Sequence, residues 1–173
     1  MIEELASTRD FRLAQDLIKA YQAARSGLIT LGILRSERLL QGDYAEWIIS
    51  QVLRLTLASS GVQKGFDAVD DAGRTYQVKS RIVASLADRT SFDMIDADAH
   101  FDFLIGVFFS STLDVLAIIR IARADVTRLG SQTQRRFSMR WNRSAMSDPA
   151  IVFLYRAPDT SVGIATLNSR DDG

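Results

Sequence analysis

The chain has 173 residues, of which 47% are hydrophobic and 24% are charged, a composition typical of one soluble globular domain. Its 21 basic and 21 acidic side chains leave no net charge, so total charge does not mark the chain as a nucleic-acid binder. It has no cysteine and one histidine, His100, which argues against thiol chemistry, histidine-rich zinc sites and a serine triad.

The first predicted element is a helix that begins at Ser7 or Thr8 and ends near Gly27. Apolar residues recur along it at positions 11, 14, 17, 18 and 21, which is the spacing of one helical face. We expect this helix to serve packing or contact between two copies of the chain.

A second helix is predicted over residues 42–55, where apolar residues occupy positions 45, 48, 49, 52 and 53. Asp43 is expected to cap this helix. Glu46 follows three residues later, and two interpretations remain open for it. Its carboxylate either completes a capping box with Asp43 or points from the edge of the apolar stripe toward the hairpin that follows.

Residues 65–81 are predicted to form a β-hairpin, with Asp70-Asp71-Ala72-Gly73 as its turn. Side chains alternate between the two faces of a strand, so Gln77 and Lys79 share one face of the second arm. The register of pairing decides whether Asp67 of the first arm joins them, because a slip of one residue reverses its face. The alternative is an ordinary hairpin with a polar, solvated face.

Apolar runs over 101–110 and 114–121 are predicted to form a buried hairpin that continues the same sheet. Asp102 lies at the start of the first run, either as an additional acid near the hairpin or, by preference, as a residue that opens a strand. A short helix is expected over 124–129, ended by Gly130. Residues 151–155 resemble a strand but follow a helix-start signal at 147–149, and this element stays open.

Charge is segregated along the chain: residues 88–102 are rich in aspartate and residues 120–143 are rich in arginine. Such segregation allows a basic, phosphate-facing surface on a neutral protein, although the arginines equally suit unrelated solvated faces. Phe137, Met139 and Trp141 alternate with polar residues, as in a strand with one buried face. The candidate nucleic-acid contacts are Arg81, Arg135, Arg136, Arg140, Trp141 and Arg143.

Three segments together carry a family resemblance. Gly42-Asp43-Tyr44-Ala45-Glu46, then Lys64-Gly65-Phe66-Asp67-Ala68, then Tyr76-Gln77-Val78-Lys79-Ser80-Arg81 resemble the PD-(D/E)XK nuclease superfamily. The resemblance covers about residues 42–110. Phe66 stands where the motif has proline, and Gln77 stands where it has a second acid, which lowers the charge of the site by one.

The resemblance implies an α/β protein with a restriction-endonuclease-like core, a mixed β-sheet of about four to five strands flanked by helices. Residues 1–156 would form one nuclease domain with an N-terminal helical segment, followed by a flexible tail over 157–173. No apolar run approaches the roughly 20 residues that span a bilayer. Together with the absence of cysteine, this predicts a cytoplasmic protein without a membrane partner.

The resemblance also assigns roles to single residues. Glu46, Asp67, Gln77 and the Val78 carbonyl would bind Mg²⁺, with Mn²⁺ as a substitute, because hard divalent cations take oxygen ligands. Lys79 would position or help to deprotonate the attacking water during hydrolysis of a DNA phosphodiester. The implied partner is double-stranded DNA, and a homodimer would cut both strands.

Two other functions remain open on the sequence. A protein of the same fold with a weakened metal site would bind DNA without cutting it. A structural or interaction subunit that uses its N-terminal helix would bind neither metal nor DNA.

Overall fold

The computed structural model describes residues 9–30, 40–58, 65–96, 99–132 and 136–158. Within these ranges the chain forms four helices and nine strands. The helices are α1 (Arg9–Thr30), α2 (Leu40–Leu53), α3 (Arg123–Leu129) and α4 (Arg143–Met146). The strands are β1 (Thr56–Leu57), β2 (Ala68–Val69), β3 (Thr75–Ile82), β4 (Thr90–Asp96), β5 (Phe103–Phe109), β6 (Val115–Ala122), β7 (Gly130–Gln132), β8 (Arg136–Trp141) and β9 (Val152–Arg156).

The main sheet has six strands in the order β1-β2-β3-β5-β6-β9, which is more than the four to five that the sequence predicts. Neighbouring strands are antiparallel except β3 and β5, which run parallel, so the sheet is mixed. Residues Leu104–Phe109 of β5 are all buried. Such a continuous apolar strand is typical of a sheet that is covered on both faces.

The two faces of the main sheet belong to two separate cores. On one face, α2 packs its buried side chains Ala45, Ile48 and Ile49 against β3 and β5. Tyr76 and Val78 of β3 point into this core. Gln77 alternates with them and therefore faces the opposite side of the sheet.

The opposite face is covered by a second sheet of three antiparallel strands in the order β4-β8-β7. Phe92, Met139 and Trp141 of this small sheet pack against Leu104 and Phe108 of β5. The small sheet enters the fold through β4, which lies in the connection between the parallel strands β3 and β5. Such a connection usually carries a helix, and here it carries a strand.

The start of α2 corrects one prediction. The helix begins at Leu40, so Asp43 lies within its first turn and not at the cap. The predicted capping box between Asp43 and Glu46 is therefore wrong in its position. The signal was misleading because Gly42-Asp43 resembles a helix start, whereas the helix extends two residues before that glycine.

Most of the other predicted elements are confirmed. The first helix spans 9–30 and continues past Gly27, and the hairpin of β5 and β6 covers the two apolar runs. The short helix before Gly130 is α3, and the open element over 151–155 is strand β9. Of the predicted tail over 157–173, residues from 159 onward lie outside the described ranges. Among the helices of the described ranges, none has the length and apolar character needed to cross a bilayer.

Candidate active site

The hairpin turn before β3 is held by Asp70. Its Oδ1 accepts hydrogen bonds from the backbone N–H groups of Ala72 (3.0 Å) and Arg74 (2.9 Å). Gly73 has a φ of 78°, in the left-handed region that glycine adopts without steric cost. These contacts confirm the predicted turn and fix where the two arms meet.

The register of the hairpin places Asp67 beside Gln77. Ala68 pairs with Tyr76, and the backbone N–H of Asp67 donates to the carbonyl of Tyr76 at 2.8 Å. One step along the same ladder sets Asp67 opposite Gln77, on the face away from α2. The condition that the sequence left open is thus met, and the acid and the amide share one face.

Asp67 is bound directly to the strand that carries Lys79. The Gln77 side-chain amide donates a hydrogen bond to Asp67 Oδ2, and the backbone N–H of Val78 donates to the same oxygen at 2.7 Å. Within the described residues, the hydrogen bonds of this carboxylate all end on Oδ2. Oδ1 is the oxygen that this arrangement leaves for another ligand.

Burial raises the pKa of the Asp67 carboxyl above its usual value. The Val78 hydrogen bond, the Lys79 charge and the Gln77 hydrogen bond each act in the opposite direction but do not cancel the effect of burial. The raised pKa means that the ionised carboxylate lacks full compensation from the surrounding protein. A cation next to this carboxylate would favour its charged form.

Lys79 lies two residues after Gln77 and therefore on the same face of β3. Within the described ranges it forms no direct hydrogen bond or ion pair, although its charge acts on Asp67. Its neighbour on β5 is Gly106, which has no side chain to compete for the space. The Phe92 ring occupies that place, because a Cβ built on Gly106 would lie 2.7 Å from Phe92 Cζ.

Gln77, Lys79 and Arg81 form a polar row along one face of β3, and Arg81 lies at the far end of this row. Its Nη2 lies 3.2 Å from Asp93 Oδ2, and its guanidinium lies 5.9 Å from the centre of the Phe92 ring. Asp93 is held in turn by the hydroxyls of Ser91 and Ser138. The hydrogen bonds from Ser138 and Ser91, followed by Arg81, lower the pKa of Asp93, so it stays charged and fixes the guanidinium.

Glu46 lies on the helix that covers the other face of the main sheet. Its side chain is half-buried and takes part in interactions of its own. On an ideal helix it projects about 130° away from the centre of the buried stripe, on the opposite flank from Trp47. The structure therefore brings together Asp67, Gln77 and Lys79, whereas the role of Glu46 at a cation stays a prediction, as does that of the Val78 carbonyl.

The predicted DNA contacts lie in different surroundings, and for the exposed arginines the contact stays a prediction. Arg136 and Arg140 lie exposed on the outer side of β8, and Arg143 lies exposed at the start of α4. Trp141 is only 1% exposed, and its indole N–H donates to the Leu86 carbonyl at 2.8 Å. Its predicted contact with DNA is therefore wrong, because the ring fills the core. Arg135 lies outside the described residues.

Sequence reasoning missed the role of Asp93, whereas the structure confirms the preferred interpretation of Asp102 as a residue that opens a strand. Asp102 Oδ2 accepts hydrogen bonds from the N–H (2.8 Å) and hydroxyl (3.0 Å) of Thr75, so it ties the starts of β3 and β5 together. Asp93 follows Ser91 at strand spacing, a signal that both share a face. The Arg81 and Ser138 partners of Asp93 come from distant segments and left no local signal.

Among the residues that the structure describes, no three acidic or histidine side chains gather into a possible metal site. This is compatible with the predicted ligands, which include only two carboxylates. A comparison with models of known protein families finds no match for this chain, and a comparison with curated proteins finds none either. The family resemblance therefore depends on the residues of the motif alone.

Proposed function

We propose that this protein is a divalent-metal-dependent nuclease of the restriction-endonuclease-like fold, which hydrolyses phosphodiester bonds in DNA. The observation that carries the proposal is the shared face of Asp67, Gln77 and Lys79 at the hairpin of β2 and β3. The Gln77 amide donates to the Asp67 carboxylate, and the charge of Lys79 acts on the same carboxylate. The helix α2 before the hairpin and the mixed sheet agree with the proposed fold.

The residues present suit a hard divalent cation. The half-buried Asp67 carboxylate has a raised pKa, and because its hydrogen bonds within the described residues end on Oδ2, its Oδ1 can bind a cation. Gln77 directs its N–H toward Asp67, which leaves the amide oxygen as a second metal ligand, one that carries no charge. Mg²⁺ takes oxygen ligands and needs one or two carboxylates when the substrate supplies phosphate oxygens. Asp67 and Gln77 would hold the cation, with Glu46 and the Val78 carbonyl as the further predicted ligands.

When bound, the cation would supply Lewis acidity toward the phosphate and lower the pKa of a nearby water. Lys79 is a cationic side chain on the same face, so it is suited to orient the attacking water or to help in its deprotonation. Its charge also favours the ionised form of Asp67. Arg81, fixed by Asp93, presents a guanidinium further along the same row, where it can bind a phosphate oxygen.

Replacement of Lys79 tests this proposal. We expect Lys79→Ala to lower the rate of Mg²⁺-dependent cleavage of supercoiled plasmid by about 100-fold or more, which is typical for loss of a proton-transfer group. The matched control is Lys19→Ala, which removes a lysine that pairs with Asp114 at 3.2 Å on the α2 side of the sheet. Equal cleavage by Lys79→Ala and the wild type would remove Lys79 from the mechanism.

One observation favours a second candidate function, a DNA-binding module that does not cut. The Gln77 amide occupies an Asp67 oxygen through an N–H group, which is a contact that a second carboxylate would not make. A wild-type protein that binds duplex DNA but leaves plasmid intact in both Mg²⁺ and Mn²⁺ would support this function over the nuclease.

A further inference from the structure

An open cleft lies beside the start of β4 and the end of β8, away from the hairpin that carries Asp67. Its volume is ≈ 390 Å³, and it is lined by Ala87, Arg89, Asn142, Arg143 and Ser144. Two guanidinium groups, an amide and a hydroxyl thus border one space. This set of side chains contains no carboxylate, so the cleft is cationic.

The two arginines of the cleft are not neutralised within the described part of the chain. No carboxylate there pairs with Arg89 or Arg143, whereas Arg128 is paired with both Asp125 and Asp148. The nearest acid in sequence is Asp88, and its Oδ2 accepts hydrogen bonds from the backbone N–H groups of Ala84 and Ser85. Two like charges that share a cleft repel each other, and a bound anion would remove that repulsion.

Both walls of the cleft are fixed by hydrogen bonds. The loop that carries Ala87 and Arg89 is tied to β8 by the Trp141 indole N–H, which donates to the Leu86 carbonyl at 2.8 Å. On the other wall, Asn142 Oδ1 accepts from the backbone N–H of Ala145 at 2.9 Å. Because that oxygen is occupied, the group that Asn142 can offer to an anion is its NH₂ donor. The cleft therefore offers hydrogen-bond donors to a ligand whose oxygens accept hydrogen bonds.

We infer that this cleft binds a backbone phosphate of the DNA substrate, outside the proposed cutting site. The inference rests on the proposed function for the identity of the ligand as DNA. Arg89 precedes Asp93, the partner of Arg81, by four residues, so the Cα atoms of Arg89 and Asp93 lie at most about 14 Å apart. Arginine suits this role because its planar fork binds two phosphate oxygens at once.

Salt-dependent binding to a duplex tests the inference. The full-length chain is titrated with a labelled 20-base-pair duplex in EDTA, which prevents cleavage, from about 50 to 200 mM salt. We expect Arg89→Ala and Arg143→Ala each to weaken binding about fivefold to tenfold near 0.1 M salt and to lower the salt slope by about one. Arg89→Lys keeps the charge and should restore the slope. The control is Arg9→Ala, which removes an exposed arginine on the α1 side of the molecule.

Wild-type slopes in both cleft variants would overturn the inference, as would a wild-type chain that fails to bind the duplex. Unchanged thermal unfolding of the two variants, whose side chains are exposed, excludes a general loss of structure. Plasmid cleavage separates the two proposals. If Lys79→Ala alone loses activity while the cleft variants bind normally, only the cleft inference fails. If the wild type does not cut DNA but the cleft variants show the expected lower salt slope, only the nuclease proposal fails.

Discussion

Asp67 combines a structural cost with a proposed chemical role. Burial raises the pKa of its carboxyl, so the folded state binds the proton more tightly than the unfolded chain does. Its contribution to the free energy of unfolding is therefore fully present below the unfolded-state pKa. The contribution is lost as the pH rises through the higher folded-state pKa. At neutral pH without a cation, the fold is therefore less stable with the ionised Asp67 side chain than it would be with a neutral side chain at this position.

The substitution Asp67→Asn separates stability from activity. Asparagine keeps an oxygen that accepts from the Val78 N–H and the Gln77 amide, and it carries no charge to bury. We expect a higher melting temperature than the wild type at pH 7 in EDTA, a difference that shrinks as the pH falls toward 4, and loss of Mg²⁺-dependent cleavage. Thermal unfolding followed by circular dichroism at several pH values measures the first two effects. A variant less stable than the wild type at pH 7 would contradict the burial argument.

For Trp141, the sequence supports two opposite predictions: stacking on DNA and burial in the core. Its neighbours Arg140 and Arg143 made a DNA-stacking role attractive, whereas its alternation with Phe137 and Met139 indicated a buried strand face. The alternation was the better guide, because period-two burial follows directly from the pleat of a strand. The centroids of the Trp141 and Phe108 rings lie 4.5 Å apart, and the Trp141 side chain is too deeply buried to stack on a base.

At the scale of elements, β5 joins the candidate site to the small sheet. Gly106 is paired with Lys79 on one side and Ile119 on the other, and the Phe92 ring of β4 lies directly over it. A glycine weakens most strands, but here it makes room for the aromatic ring. The approach of Phe92 to the sheet therefore depends on the absence of a single methyl group.

We expect Gly106→Ala to lower the free energy of unfolding by about 1–3 kcal/mol, which is typical of overpacking. The added Cβ would lie 2.7 Å from Phe92 Cζ and 2.9 Å from Ile119 Cγ1, so the aromatic ring or the strand must move. Urea unfolding measures the change. Gly27→Ala is the matched control, because nothing lies within 4 Å of its Cβ position in α1. The control should gain about 0.5–1 kcal/mol from helix propensity. Equal stability of Gly106→Ala and the wild type would contradict the proposed close packing.

At the scale of the whole molecule, two cores share one sheet. Trp47 packs against the core between α2 and the main sheet, and Trp141 lies in the core under the small sheet. Strands β5 and β6 contribute side chains to both cores through their two faces. Loss of either core would expose one face of those strands, so we expect the two cores to unfold together.

The two tryptophans allow a direct test of this coupling. In Trp47→Phe the fluorescence reports the small-sheet core, and in Trp141→Phe it reports the helix core. We expect the fluorescence midpoint in each variant to coincide with its own far-ultraviolet circular dichroism midpoint, as two-state unfolding requires. A fluorescence transition that precedes the circular dichroism transition in Trp47→Phe would mean that the small sheet unfolds separately.

Local patterns in the sequence were enough for most elements and for part of the site. Period-two alternation predicted the buried face of β8, turn chemistry predicted the hairpin of Asp67, Gln77 and Lys79, and continuous apolar runs predicted the strands β5 and β6. These predictions succeeded because each depends on neighbours a few residues away. The start of α2 was misjudged because Asp43 suits a cap as well as a first helical turn.

Only the tertiary structure decided which distant residues meet. The hairpin register brought Asp67 to Gln77, and the packing of α2 on the other face of the sheet separated its buried stripe from both. The ion pair of Asp93 with Arg81 crosses from the small sheet to the main sheet. The contact of Asp93 with Ser138 and the cleft between Arg89 and Arg143 each join segments about 50 residues apart in the sequence. Contacts of this kind follow from how whole elements bury their apolar faces, and no local pattern of residue types encodes them.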